Sequence, residues 1–277
     1  MPLKFLKIMK RLLLLYFPLD DPEIINQDKV IELYLKHHVT TIEVALPVSN
    51  PFLDGPTITD SMRRIEKIKD TRQIFEDIAL TKNKFPSLEI QVMAYSALIK
   101  EIGIDDFSDL LIKSGASYIL SPDAEEKLLC ELENKLVNSN VSVIRFAPYI
   151  IDNDNVKTLI NSKGYIFQRS TDGKTGKLEK FPEHLRKNIK IIRENNIETP
   201  VVIGFGISNE KHVKQVFDLG ADGAVIGSAL FSHIKDGSLD DYLEQFDKYY
   251  EWYENNYFSY IYWNIWMYMF IFFILFI

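Results

Sequence analysis

Eight short apolar runs, each followed by a longer segment of helical periodicity, constrain the fold of this chain more than any other feature. The runs are LLLLYF (12–17), TIEVAL (41–46), EIQVMAY (89–95), SYIL (117–120), VSVIRFA (141–147), GYIF (164–167), PVVIG (200–204) and GAVIG (223–227). Runs of this length rich in Val, Ile and aromatics read as strands, and apolar residues three and four apart read as helix faces. The helical segments between them are NQDKVIELYLKHH, TDSMRRIEKIKDTRQIFEDIALT, DDFSDLLIKSG, DAEEKLLCELENKLVNS, DNVKTLINSKG, PEHLRKNIKIIRENN, NEKHVKQVFDLG and LDDYLEQFDKYYEWYE. Several open on Asp, Asn or Thr and close on Gly or Asn, the start and stop signals of helices. Crossovers of this length join parallel strands. Eight such units predict an α/β chain of the (β/α)8 TIM-barrel type. An open doubly wound sheet would expect a G-x-G-x-x-G turn after the first strand, and YFPLDDPEI is not one. No linker or shift in composition interrupts the pattern, so residues 1–256 are expected to form one barrel domain.

The two ends depart from it. MPLKFLKIMKR is basic and amphipathic and lacks a small-residue cleavage site, which predicts a short N-terminal helix plugging one end of the domain. Residues 257–277 carry no charge and are atypically rich in aromatics and Ile. Their length suits a membrane span, which needs roughly 20 residues, but spans keep aromatics mainly at the interfaces. Three readings stay open for this hydrophobic tail: a membrane anchor, a core or interface segment, or a non-native extension such as read-through of A/T-rich coding sequence.

Charge and cysteine usage exclude several functions. The net charge is −7, and no Lys/Arg run interleaves with aromatics, which argues against nucleic-acid binding. The single cysteine, Cys130, rules out an internal disulfide or a cysteine-based zinc site and fits a reducing cytoplasmic compartment. The five histidines show no metal-ligand spacing, so no metal site is expected. His37 and His38 end a helical segment, where cations suit the dipole.

Chemistry in such a barrel sits where the strands end. Within TIEVAL, alternation puts Thr41, Glu43 and Ala45 on one face, and the small neighbours of Glu43 suggest that this face is the interior. A carboxyl group there loses solvation, its pKa rises, and it becomes competent both as acid and as base. The competing structural reading pairs Glu43 with a buried Arg145. IGFGIS (203–208) and IGSALF (226–231) end the last two strands with glycines that let backbone N–H groups approach an anion. A helix start at Ser208 would add a favourable dipole. Glycines that merely permit tight turns are the alternative. QRSTDGKTGKLEKF (168–181) is long and polar for such a connection and suits a lid.

These residues resemble a known family. IEVALPVSNPFLDGPTI is similar to the IELGVPFSDPxADGPxI signature of tryptophan synthase alpha chains. TPVVIGFGISNEKHVKQVFDLGADGAVIGSALF resembles that family's PVxxGFGIxxPEHVxxxxxxGADGxxVGSAxV segment, and STDGKTG its SxxGxTG lid. The match runs in register from about Leu12 to about Tyr253.

The resemblance implies a lyase (EC 4.2.1.20) of tryptophan biosynthesis that cleaves indole-3-glycerol phosphate by a retro-aldol reaction to indole and glyceraldehyde 3-phosphate. It implies catalytic Glu43 and Asp54, phosphate-binding Gly176, Gly206, Gly227 and Ser228, and a pocket and lid of Tyr16, Tyr95, Thr175 and Phe205. It implies no cofactor in this chain, and a beta-chain partner carrying pyridoxal phosphate in an alpha2beta2 heterotetramer. The pattern departs at FPLDDP, at Val48 and Asn50, at Ala97, at Glu125 and at Phe167, where the family has TxGDP, FSDP, Asn, Pro and Tyr. Several of these loops face the beta chain in the family. They leave two other functions to weigh: an alpha-like barrel that binds and regulates the beta chain with little turnover, and a tail-anchored protein on a reused barrel.

Overall fold

The computed structural model describes residues 11–171 and 181–249, within which eight parallel strands close into a barrel. In chain order the elements are β1 (Leu12–Tyr16), α1 (Gln27–Lys36), β2 (Thr41–Ala45), α2 (Pro56–Glu66), α3 (Thr71–Lys84), β3 (Glu89–Met93), α4 (Ser96–Ile102) and α5 (Ile104–Lys113). There follow β4 (Tyr118–Leu120), α6 (Glu126–Leu136), β5 (Ser142–Ala147), α7 (Asn153–Leu159), β6 (Ile166–Arg169), α8 (His184–Glu194), β7 (Val201–Gly204), α9 (Glu210–Asp218), β8 (Gly223–Ile226), α10 (Leu230–Asp236) and α11 (Leu239–Glu244). The predicted (β/α)8 architecture is the one observed, with all eight predicted strands in place. The predicted N-terminal helix, most of the lid (172–180) and the 257–277 tail lie outside the described residues. Among the described residues no helix is long and apolar enough to cross a membrane.

Closure is a matter of side-chain absence as much as of hydrogen bonding. Leu12 to Leu15 of β1 run in register with Gly223 to Ile226 of β8. A Cβ on Gly223 would lie 2.7 Å from both the carbonyl oxygen and the Cβ of Leu12. The two strands therefore meet only because that position carries no side chain. The strands are apolar on both faces because helices cover the outside and side chains fill the inside. Ile42, Ile90, Ile119, Ile144, Ile166 and Val202, from six successive strands, are all fully buried.

Three local departures from the sequence reading have physical causes. β6 begins two residues later than GYIF suggests, because Gly164 sits at φ 68°, outside the extended region. The long helical pattern after β2 is two helices: α2 ends at Glu66, and Asp70 starts α3 with a capping box closed by Gln73. Helix α9 starts at Glu210, capped by the Asn209 side chain, rather than at Ser208.

Because Gly223 is not in the left-handed region, Gly223→Ala tests crowding at the seam alone. It is expected to lower stability by roughly 1–3 kcal/mol, the usual cost of forcing atoms into a packed interior. Denaturant unfolding of the two proteins reads this directly, and equal midpoints would show that the seam tolerates a methyl group.

Candidate active site

The C-terminal ends of the strands open onto a cavity of about 320 Å³. Glu43, Asp54, Tyr95, Phe205, Gly206, Gly227 and Ser228 all line it. Tyr16 does not: its fully buried ring lies behind the wall, stacked on Phe231 at 5.7 Å between centroids. Thr175 and Gly176 lie outside the described residues.

Glu43 is the one residue of β2 that is not fully buried, and its remaining exposure is consistent with its place on the cavity wall. Protein packs closely around it, and loss of solvation pushes its pKa up to about 7. The negative charge of Asp54 pushes the same way, while a hydrogen bond from Gln91 opposes both. Gln91 is the register partner of Glu43 on β3, is fully buried, and donates from Nε2 to Glu43 Oε2 at 2.5 Å. Arg145 takes no part. Its guanidinium bonds Glu126 and Glu133 of α6, each at 2.8 Å, so the alternative ion pair with Glu43 is absent.

Asp54 is held differently, by a turn rather than a strand. Asp54 N–H donates to the Pro51 carbonyl at 3.0 Å, and α2 begins two residues later with Gly55 as cap and Pro56 in the first turn. Proline suits that position because its missing N–H would find no helical partner. Tyr95 Oη donates to Asp54 Oδ2 at 2.7 Å and accepts from the Leu53 N–H at 3.2 Å. Burial first, and then the charge of Asp54, push the Tyr95 phenol far above its ordinary value, so it stays a donor. The Phe52 ring covers Tyr95 from the rim, 5.2 Å between centroids.

Across the cavity, β7 ends in a turn whose backbone is unusual. Phe205 and Gly206 have φ of 74° and 76°. A bulky residue in the left-handed region is strained and needs holding. Ser170 holds it: its Oγ donates to the Phe205 carbonyl at 2.5 Å and its N–H to the Gly204 carbonyl at 3.0 Å. Gly204 itself lies under the Phe167 ring, where a Cβ would come within 2.2 Å of Cζ. Gly227 is a contrasting case. A Cβ there would meet nothing closer than Ile58 Cδ1 at 3.5 Å, so packing does not require glycine, and its backbone lies open to the cavity. Between the two ends lies an apolar slot. Phe146, Phe167 and Phe205 form a ring cluster with centroids 5.3 to 6.3 Å apart. Leu53, Met93, Leu120 and Val225 complete its walls.

The sequence reading passed over three supporting residues. Gln91 could have been found by the reasoning applied to Glu43, a polar residue inside a strand. Ser170, and Asp123, which bonds the Ser96 N–H and hydroxyl at 2.8 and 2.9 Å, act across loops distant in sequence and leave no local signal. Among the described residues no group of three His, Cys, Asp or Glu side chains could hold a metal ion.

Comparison with known proteins bears on this site as a whole. Residues 5–257 match the family model of the tryptophan synthase alpha chain. The alpha chain of Escherichia coli O157:H7 is 31% identical over 222 residues, 79% of this chain and 82% of that one. That of Shigella sonnei is 30% identical over the same shares. Among solved structures, one from Aquifex aeolicus superimposes with a TM-score of 0.74 at 24% identity, covering 88% of this chain and 93% of that one. Tryptophan synthase of Mycobacterium tuberculosis gives 0.72 at 20% identity over 87% and 92%. The barrel, the cavity at its C-terminal mouth and these matches lead to one conclusion: the chain belongs to the tryptophan synthase alpha chain family.

Proposed function

We propose that Glu43 and Asp54 carry the alpha-chain lyase reaction, the retro-aldol cleavage of indole-3-glycerol phosphate to indole and glyceraldehyde 3-phosphate. One observation carries the reading. A carboxyl group whose pKa is raised to about 7 shares one apolar cavity with a second carboxyl group fixed by a phenol.

The chemistry needs both. Breaking the bond between C3 of the indole and the glycerol chain requires a proton on C3 and the loss of one from the adjacent hydroxyl. With a pKa of about 7, Glu43 is in large part protonated near neutrality and serves as the acid toward C3. The resulting cation places positive charge on the ring nitrogen. Asp54, oriented by Tyr95 before substrate arrives, stabilises that charge as it develops. Glu43, now a carboxylate, takes the hydroxyl proton as the carbonyl forms and the carbon–carbon bond breaks. The electron pair of that bond returns to the ring and neutralises the nitrogen, and Glu43 ends protonated, as it began.

The aromatic cluster of Phe146, Phe167 and Phe205 supplies a slot for the flat indole ring. The backbone at Gly206, Gly227 and Ser228 takes the phosphate, with Gly176 and Thr175 contributed by the lid segment. Tyr16 supports the indole wall from behind. This step needs no cofactor. The partner is a beta chain carrying pyridoxal phosphate, in an alpha2beta2 assembly; the family match and the likeness to tryptophan synthase structures support this pairing. The match ends at residue 257, which supports a domain of residues 1–256 with the tail outside it. The single cysteine supports a cytoplasmic enzyme.

Glu43→Gln and Asp54→Asn are each expected to lower kcat by at least roughly a hundredfold, the scale of a lost general acid–base or electrostatic group. Indole release from purified protein, with circular dichroism as a check on the fold, measures this. Near-normal turnover in either variant would refute the assignment. For the wild type, kcat/KM is expected to fall as pH rises through about 7, because the protonated form of Glu43 is the reactive one.

Stability should move with the same proton. The folded state binds a proton at Glu43 up to about pH 7, whereas the unfolded chain releases it near the ordinary carboxyl value. Stability contributed by this group is thus present at low pH and lost as pH rises through 7. Glu43→Gln, which has no proton to lose, is expected to gain in unfolding midpoint over the wild type between pH 5 and pH 8. A difference in midpoint that does not change over that range would contradict the buried-acid account.

A further inference from the structure

Gln91 occupies a demanding place for a polar side chain. It sits in mid-strand on β3, is fully buried, and does not line the cavity. Its Nε2 donates to Glu43 Oε2, while its Oε1 is buried with no hydrogen-bond partner among the described residues. A buried acceptor without a partner is costly, and an apolar residue there would avoid that cost. The amide is therefore best explained by what it does for Glu43.

The reaction asks Glu43 to be an acid in one step and a base in the next. A carboxylate needs a donor, and a carboxylic acid needs an acceptor. An uncharged amide offers both from one plane and needs no change of its own protonation state to do so. Turning the amide over exchanges Nε2 for Oε1 at the same site, and in doing so it sacrifices no bond at Oε1, because Oε1 makes none. Arg or Lys in its place would offer the acid's hydroxyl no acceptor and would favour the ionised form.

We infer that Gln91 is the positioning residue of this site: it aims the Glu43 carboxyl group into the cavity and hydrogen-bonds it in both protonation states, as donor to the carboxylate and, with the amide turned over, as acceptor from the acid. The inference rests on Glu43 being the acid and base of the reaction. The other titratable groups whose charge bears on Glu43 are Asp54 from the β2–α2 loop and the buried phenols of Tyr16 on β1 and Tyr165 ahead of β6. Both phenols lie far above their ordinary values and stay uncharged across the working pH range.

The test is the pH profile of Gln91→Met, which keeps bulk and flexibility and removes the amide. The falling limb of kcat/KM is expected to move to higher pH, because the lost hydrogen bond had favoured the ionised form of Glu43. The kcat is expected to drop by roughly tenfold or more, as for other losses of orientation, with KM changed by less than about twofold. A merely structural role would lower kcat or yield without moving the limb, and that result would overturn the inference. If Gln91→Met does not fold, Gln91→Glu replaces it. Its carboxyl offers donor and acceptor only when protonated, so activity is expected to recover toward low pH, and an absence of such recovery counts against the inference. Introducing Gln91→Met into Glu43→Gln should cost little further activity, since residues acting through one another are non-additive; a full additional loss would show that Gln91 acts elsewhere. Failure of the underlying reading is distinguishable, because it would appear as turnover retained by Glu43→Gln alone.

Discussion

Withdrawal of one carboxyl group from water is the interaction on which the rest of this molecule depends. Glu43 could stay soluble and ordinary on a loop, where it would ionise near its usual value. On β2 it is flanked by β1 and β3, and among the described residues no cation pairs with it: Arg145, the candidate counter-ion, bonds Glu126 and Glu133 instead. An arginine beside Glu43 would have stabilised its charge and abolished its use as an acid. What it has instead is Asp54, a like charge, and Gln91, an uncharged donor. These two pull in opposite directions about a burial effect larger than either, and the outcome lies near neutrality, where a group that must both give and take a proton is most effective.

Asp54 carries the same side-chain chemistry in different surroundings. It is buried, yet its oxygen receives a phenol hydrogen bond, and its backbone is fixed by a turn and a helix start. The two carboxyl groups thus differ in setting, one withdrawn from water on a strand and the other aimed by a phenol. The same cavity is lined by the phenylalanine cluster and by the backbone at Gly206 and Gly227.

The sequence carried most of the fold because the barrel repeats one local pattern eight times, so errors at single boundaries do not alter the topology. Where it misled, a residue's conformation was set by something other than hydrophobic period. Gly164 leaves the extended region and delays β6, and the Asp70–Gln73 capping box divides one apparent helix into two. Within the site, Glu43 and Asp54 were legible because each is a charge where local structure disfavours one. Tyr16 was read as a pocket residue, and its strand position gave no sign that the ring would turn behind the wall toward Phe231. Ser170 was illegible for another reason: it restrains Phe205 across 35 residues, and only closure of β6 against β7 brings the two together.

The spatial distribution of the departures from the family pattern bears on what they affect. Val48 and Ala97 line a separate cleft with residues 66–71, which shares no residue with the active cavity. Asn50 does not line the cavity either. Of the changed positions, Phe167 does line the cavity, and there the change removes a hydroxyl from a cluster of three phenyl rings. Because Gly204 leaves room beneath that ring, Phe167 packs without displacing the turn that carries Phe205 and Gly206. A weakly active regulatory barrel would be expected to lose the acid, the fixed carboxylate or the open backbone first, since none of them is needed to keep the barrel closed. All three stand together around one cavity, and burial of Glu43 with no paired cation among the described residues works against stability. A carboxyl group kept under those conditions supports the proposed acid–base role of Glu43 over a structural one.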